Sequence, residues 1–387
     1  MSDQLRRRET GRQPIVTEQW SALESRRYVG ERPCETFTSA RTRGEAMPRR
    51  GDTRSRVWIP IISIAVALLT ALSGCSALNG SSNNPSGGGS GTAGPIEKPK
   101  LKVGLLPVVD VAPLYQAVEK GYFKEQGLEV EPIVLASGPK AVESVISGEI
   151  DIAFTSYPGA FVAQSKGVAN LKIVADAYAA RPGHLALVAT PNSTIKKPED
   201  VAKKKIAVTS KGSISDLGVM SVLSAQNIAV DGIQWIPMTF PDMGPAMKAG
   251  NIDGAVVAEP WMTRTAKEYG AMSIVDVSSG PTADISMSGW AALDKLTSAN
   301  PNTFAAFQRG LAKGVSDVKR DRTVLEPILI THVKIDQATA PLVTIADYPE
   351  RADAIRLQRV ADLMLEFKVI GERLDVSKML LEPTTAN

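Results

Sequence analysis

From residue 101 onward, short apolar runs alternate with amphipathic stretches. Runs rich in Val, Ile, Ala and Leu predict strands over 102–106, 129–135, 151–155, 172–175, 186–189, 205–209, 234–238, 254–258 and 273–277. Between them, apolar positions recur at helical spacing and predict helices over 113–126, 140–147, 160–166, 215–226, 245–249 and 260–269. Many of these helices run into a glycine (Gly127, Gly148, Gly167, Gly250, Gly270), the residue best suited to the left-handed turn that ends a helix. Strands alternating with helices imply parallel sheets covered on both faces. Beyond 277 the pattern changes. Segments 289–295, 301–320, 323–331, 336–344 and 351–367 all read as helices, and no strongly apolar strand follows. In the last of them Ile355, Val360, Leu363, Met364 and Phe367 fall on one stripe. The tail is therefore expected to cap an existing lobe.

Two stretches 102 residues apart, 147–160 and 249–262, are near copies. Gly148/Gly250, Ile150/Ile252, Asp151/Asp253, Ala153/Ala255 and Pro158/Pro260 coincide. Each copy reads as a glycine-capped helix end, a tight turn, a short apolar strand and a Pro-led new helix. Two similar α/β halves predict two lobes, with a cleft between them that suits a small molecule. A chain of 387 residues is long enough for both.

The net charge of +3 hides an asymmetry. Residues 1–74 carry 13 Arg, no Lys and 8 acidic residues, a net of +5; the remaining 31 basic and 33 acidic residues give a net of −2. The basic excess lies in the leader, so nothing points to a nucleic-acid partner. Residues 57–72 are apolar and uncharged, follow Arg49, Arg50, Arg54 and Arg56, and lead into small residues and Cys75. This is the pattern of a secretory signal. Leu72-Ser73-Gly74-Cys75 resembles a bacterial lipobox, whose cysteine takes a lipid anchor. The alternative, a plain transmembrane helix with an incidental cysteine, would need a longer span. The other cysteine, Cys34, precedes the signal, so no disulfide is expected in the mature chain. Met47 is a candidate true start. Residues 76–100 are rich in Gly, Ser, Asn and Pro and read as a flexible tether. The expected organisation is 1–46 unstructured or mis-assigned, 47–74 signal, 75–100 tether, 101–182 first lobe, 183–278 second lobe, and 279–387 first-lobe return with helical cap.

In open α/β sheets, ligands lie beyond the carboxyl ends of the strands, at helix N-termini. Five such junctions are legible: 107–113, 137–140, 156–159, 210–213 and 259–261. Three pair Ser with Gly, and helix-start N–H groups there can hold an anion without Arg; the same serines can also serve only as caps. Asp110 and Glu259 could hold an amine, while Asp242 reads as a solvated loop charge. Tyr157 and Trp261 follow the two copied strands and could close on a ligand, or could simply pack the lobe interface. His184 and His332 have no partner at metal-ligand spacing, and no phosphate loop, dinucleotide motif or Gly-x-Ser-x-Gly elbow occurs after the leader. No enzyme activity, metal or cofactor is expected.

The run 113–130 (PLYQAVEKGYFKEQGLEV) resembles the opening helix and strand of the solute-binding proteins for nitrate, taurine, aliphatic sulfonates and thiamine-pyrimidine precursors. Residues 148–158, Lys211-Gly212-Ser213 and Ala258-Glu259-Pro260-Trp261 resemble later motifs of the same family, and the likeness spans about 101–382. The resemblance implies a type II periplasmic-binding fold, α/β with two lobes and two crossovers. It implies capture by hinge closure and delivery to an ABC permease and ATPase, by a monomer tethered through Cys75 on the extracytoplasmic face of the cell membrane. It places Asp110, Ser137, Gly138, Ser156, Tyr157, Gly212, Ser213, Glu259 and Trp261 at ligand-contacting turns. The expected ligand is a small anion or zwitterion; the alternatives are a vitamin-precursor heterocycle, or a sensory lipoprotein that presents its ligand to a receptor. Residues 212–216 (GSISD) depart from the sulfonate and taurine pattern, and the Cys-rich motif of the pyrimidine-synthesising relatives is absent.

Overall fold

The computed structural model describes residues 94–382. The expected signal, Cys75, Met47 and most of the expected tether lie outside the described residues. Ten strands run in chain order: β1 (Lys100–Leu105), β2 (Glu129–Val134), β3 (Ile152–Ser156), β4 (Leu171–Ala179), β5 (Leu185–Ala189), β6 (Lys205–Val208), β7 (Gln234–Pro237), β8 (Gly254–Ala258), β9 (Met272–Asp276) and β10 (Ser286–Leu293). They form two five-stranded sheets of the same design, β2-β1-β3-β10-β4 and β7-β6-β8-β5-β9. In each, the fourth strand has crossed from the other sheet and runs antiparallel to its neighbours, β10 between β3 and β4, β5 between β8 and β9. The sheets are thus mixed, where strand–helix alternation predicted purely parallel ones. A strand arriving from the opposite lobe has to enter in the opposite sense.

All nine expected strands form, and the tenth overturns the helix expected at 289–295. Ser286–Leu293 is buried along nearly its whole length between two strands. Its Ala, Met and Leu favour a helix locally, but central sheet pairing overrides propensity. Gly289 marks the true state: a Cβ there would sit 2.2 Å from the Tyr157 hydroxyl and 2.9 Å from the Ala175 carbonyl.

The principal helices are α1 (Ala112–Glu119), α2 (Tyr122–Glu125), α3 (Gly138–Ser147), α4 (Tyr157–Ser165), α5 (Ile214–Ala225), α6 (Phe240–Lys248), α7 (Trp261–Tyr269), α8 (Asp294–Ala299), α9 (Pro301–Arg320), α10 (Leu325–Ile328) and α11 (Ala354–Glu366). The helix expected over 113–126 breaks at Gly121, whose φ of 74° is a left-handed turn. The helix expected over 336–344 is reduced to a single 3₁₀ turn, Ala340–Leu342. On α11 the buried stripe runs through Leu357, Val360, Ala361 and Met364; Ile355 is 75% exposed, because it lies in the first turn beside the Asp353 cap.

Helix α9 of the tail packs on α1 and α2. α9 lies so close to α1 that a Cβ at Gly314 would be 2.1 Å from the Pro113 carbonyl oxygen. Phe123 stacks on Phe307, and Gln116 and Tyr122 donate to Asp317. The last residues of the expected tether are docked. The Glu97 carboxylate accepts from the N–H groups of Asn302 and Thr303 at the start of α9. Burial works against its charge, but those N–H groups hold its carboxyl down to about 2.

The copied stretches occupy equivalent places. Gly148 and Gly250 are both left-handed, with φ of 78° and 73°. Asp151 accepts from the Lys102 N–H, and Asp253 accepts from the Lys205 N–H, each at 2.9 Å. Each aspartate thereby pins the entrance of its sheet's central strand to the neighbouring one. Much of the repeat is thus structural.

Candidate ligand site between the two sheets

The carboxyl ends of β1, β3, β6 and β8 all face one cavity. From the first sheet come Leu106, Val108, Asp110, Gly138, Pro139, Phe154, Ser156, Tyr178 and Ser288; from the second, Leu185, Thr209, Ser210, Ser213, Ile214, Ser215, Phe240 and Ala258. Most of this wall is apolar, and no Lys or Arg lines it. Three buried hydroxyls lie on it: those of Ser210 and Ser288 have no hydrogen-bond partner, and that of Tyr178 has only the Ser278 hydroxyl beside it. A buried orphan hydroxyl costs about 1–3 kcal/mol. Three converging on one cavity make a preformed set of donors for a polar guest.

One charged group reaches the wall. Asp110 is 5% exposed, and its Oδ1 lies 2.5 Å from His184 Nε2. The other ring nitrogen, Nδ1, is buried without a partner, and the Tyr178 ring lies against the imidazole at 4.4 Å. Burial first, and the Asp110 carboxylate second, hold the Tyr178 phenol well above its ordinary range, so it stays a donor. His184 sits at the entry to β5, where the chain first crosses between sheets. The sequence alone gave no sign that it pairs with Asp110, since the two are 74 residues apart.

Of the nine contacts expected from the sequence, Asp110, Gly138, Ser156 and Ser213 line the cavity and the other five do not. Ser137 is the N-cap of α3, accepting from the Lys140 N–H. The N–H groups of Gly212 and Ser213 donate to Asp216 at 2.7 and 2.8 Å, closing a capping box at the start of α5. Those donors are therefore spent within the protein. Burial raises the Asp216 carboxyl to about 6 in spite of them. Tyr157 is buried inside the first lobe, with its hydroxyl on Asp176 at 2.8 Å.

Glu259 is also turned away from the cavity. Its carboxylate accepts from Thr263 N–H (3.0 Å), the Thr263 hydroxyl (2.7 Å) and Thr344 N–H (3.1 Å). Trp261 Nε1 donates to the Pro107 carbonyl, and Arg264 lies over its ring. Both residues hold lobes together. The Glu259 carbonyl accepts from Val109 N–H, and Thr344 belongs to a segment that also ties Tyr348 to the Val109 carbonyl and Asp347 to Ala179. We predict that Glu259→Gln lowers stability by about 1–3 kcal/mol, because one of its accepting oxygens becomes a donor facing a donor. Denaturant unfolding checks this, and an unchanged midpoint would contradict the assignment.

Sequence reasoning missed Tyr178, Ser288 and Phe240. Tyr178 lies at the end of a strand that the apolar pattern stopped four residues early, at 175. Ser288 lies on β10, one residue before the segment expected to be a helix. Ser210 belonged to a junction that was legible, but its neighbours Gly212 and Ser213 were favoured. Among the described residues, no group of three or more His, Cys, Asp or Glu is placed to hold a metal ion. No helix there is long and apolar enough to cross a membrane.

Two mixed α/β sheets of one strand order, linked by two crossovers around one cavity, define a type II periplasmic-binding fold. Within that class the chain belongs to the NMT1-like family, whose model matches residues 94–313. It is 29% identical over 190 residues to the nitrate import ATP-binding protein NrtC of Synechocystis sp., taking in 45% of this chain and 28% of that one. The chain thus spans less than a third of that relative. It is 25% identical over 286 residues to a proposed aliphatic sulfonates-binding protein of Escherichia coli K12, covering 71% of this chain and 85% of the relative. Among solved structures, the alkanesulfonate-binding protein SsuA of Xanthomonas axonopodis pv. citri, bound to MOPS, superposes with a TM-score of 0.64. It is 18% identical and the match covers 74% of this chain and 99% of that one, a likeness of fold.

Proposed function

We propose that this protein is the extracytoplasmic solute-binding component of an ABC importer, held at the membrane through Cys75. It captures a small monoanion or zwitterion of the sulfonate type by closing its two lobes and passes it to a permease. The observation that carries the ligand class is the set of buried Tyr178, Ser210 and Ser288 hydroxyls in a cavity without Lys or Arg. Neutral donors suit a diffuse single negative charge; a dianion would lack a counter-charge. Asp110 would face the amine of a zwitterion. Hydroxyls from both lobes grip one guest, so the guest favours the closed form, as a ligand-driven hinge requires. The relatives named for nitrate import and for aliphatic sulfonates agree with this reading.

Phe154, Phe240 and Tyr178 beside Asp110 favour a second reading, a flat heterocycle stacked in the cavity. Thermal-shift measurement on the full chain with taurine, ethanesulfonate, nitrate and an aminopyrimidine separates them. A ligand present at about 100 times its Kd adds about 2.7 kcal/mol of stability. Taurine or ethanesulfonate is expected to raise the Tm. A shift with the pyrimidine alone favours the second reading, and no shift with any of the four overturns both.

A further inference from the structure

The cavity between the sheets has a volume of about 60 Å³. Small-molecule sites usually offer about 300–1,000 Å³. A single water takes about 10–15 Å³ of such space, so this cavity holds about four to six atoms of that size. Its walls are fixed from both sides. On the first sheet, the Phe154 ring packs on Trp290 at 5.4 Å, and the Tyr178 ring lies against His184 at 4.4 Å. On the second, Phe240 is the largest side chain of the wall; it is the first residue of α6 and is 7% exposed. The lobes already touch beside these residues. Trp261 Nε1 donates to the Pro107 carbonyl at 2.7 Å, and Val109 N–H donates to the Glu259 carbonyl at 3.1 Å. Leu106, Val108 and Ala258, chain neighbours of the bonded residues, line the cavity. Widening the cavity by parting the lobes therefore works against both bonds.

Resting on the sulfonate-type reading of this site, we propose that Phe240 sets a size ceiling on the ligand. The site takes compact sulfonates near the size of methanesulfonate and ethanesulfonate, and turns away long-chain alkanesulfonates. The two outcomes differ in sign. The wall is mostly apolar, so in a roomy pocket each added methylene would bury surface and tighten binding about fourfold. With Phe240 closing the second-lobe side, a longer chain has nowhere to lie, and overpacking replaces burial. Leu185 and Ile214, the next largest side chains on that side, are shorter, so truncating Phe240 opens the most room.

The test is isothermal titration of the full chain with methanesulfonate, ethanesulfonate, butanesulfonate and octanesulfonate. Affinity is expected to fall along the longer members, with octanesulfonate about tenfold or more weaker than ethanesulfonate. In Phe240→Ala the ratio of octanesulfonate to ethanesulfonate affinity should rise by about tenfold or more. In Phe240→Leu, which keeps an apolar contact and so spares the fold, the ratio should move the same way by a smaller factor. Octanesulfonate binding as tightly as ethanesulfonate or more so in the unaltered protein, or a ratio that neither variant moves, would overturn the size ceiling and leave the sulfonate-type reading standing. Binding of none of the four would overturn both.

Discussion

Replacing Ser210 and Ser288 together by alanine should lower sulfonate affinity by about two to four orders of magnitude while leaving the empty protein as stable as before, or more so. A hydrogen bond to a charged partner is worth about 1.5–3 kcal/mol, and two are removed. In the empty protein both hydroxyls are buried and unpartnered, so their loss removes a desolvation cost instead of a bond. The opposite signs are the point. A serine serving the fold would lose stability on truncation and change affinity only through it. The check is a ligand titration beside a denaturant melt of the same variant. Unchanged affinity would remove both residues from the binding role; a large loss of stability would make them structural.

Asp176→Asn should stabilise the protein by about 2–4 kcal/mol at pH 8 and hardly at all at pH 4. Burial is the dominant cause that raises its carboxyl from 3.8 to about 7, opposed by the Ser286 and Tyr157 hydroxyls. The unfolded chain releases that proton near pH 4, whereas the folded protein keeps it to about 7. Between those values the folded state binds more protons, so stability falls as pH rises and the penalty is complete above 7. Asparagine is neutral at every pH and keeps an acceptor for Tyr157. Melting curves at both pH values decide the matter. An equal effect at pH 4 and pH 8 would mean that ionisation of Asp176 is not the cause.

The sequence was most legible where local chemistry and the final fold agree. Nine strands were marked by short apolar runs, and both lobes by the repeat around Asp151 and Asp253. It was least legible at β10, where pairing with β3 and β4 overrides the helical leaning of Met287, Ala291 and Ala292. With β10 unseen, Ser288 had no strand to place it at the site. For the site itself, chain position was a fair guide and side-chain direction was not. Glu259, Tyr157 and Gly212 stand at strand ends as expected, yet each is engaged by the protein: Glu259 by Thr263 and Thr344, Tyr157 by Asp176, Gly212 by Asp216. Such partners lie between 4 and 85 residues away, and even the nearest leaves the direction of the side chain open. The hydroxyls that remain free could be found only after the engaged ones were known.

The strand exchange also sets an order of assembly. All five strands of the second sheet lie within one continuous stretch, from Leu185 to Asp276. The first sheet is left with a gap between β3 and β4 until β10, at Ser286–Leu293, reaches it. A chain emerging from its N-terminus can therefore finish its second half before its first, although the first half appears earlier. Until then β3 and β4 each present an open edge, the kind of surface that pairs with other chains. The fourth strand of the older half is the last strand to arrive, and it brings Ser288 with it, so the cavity between the sheets is complete only once that strand is in place.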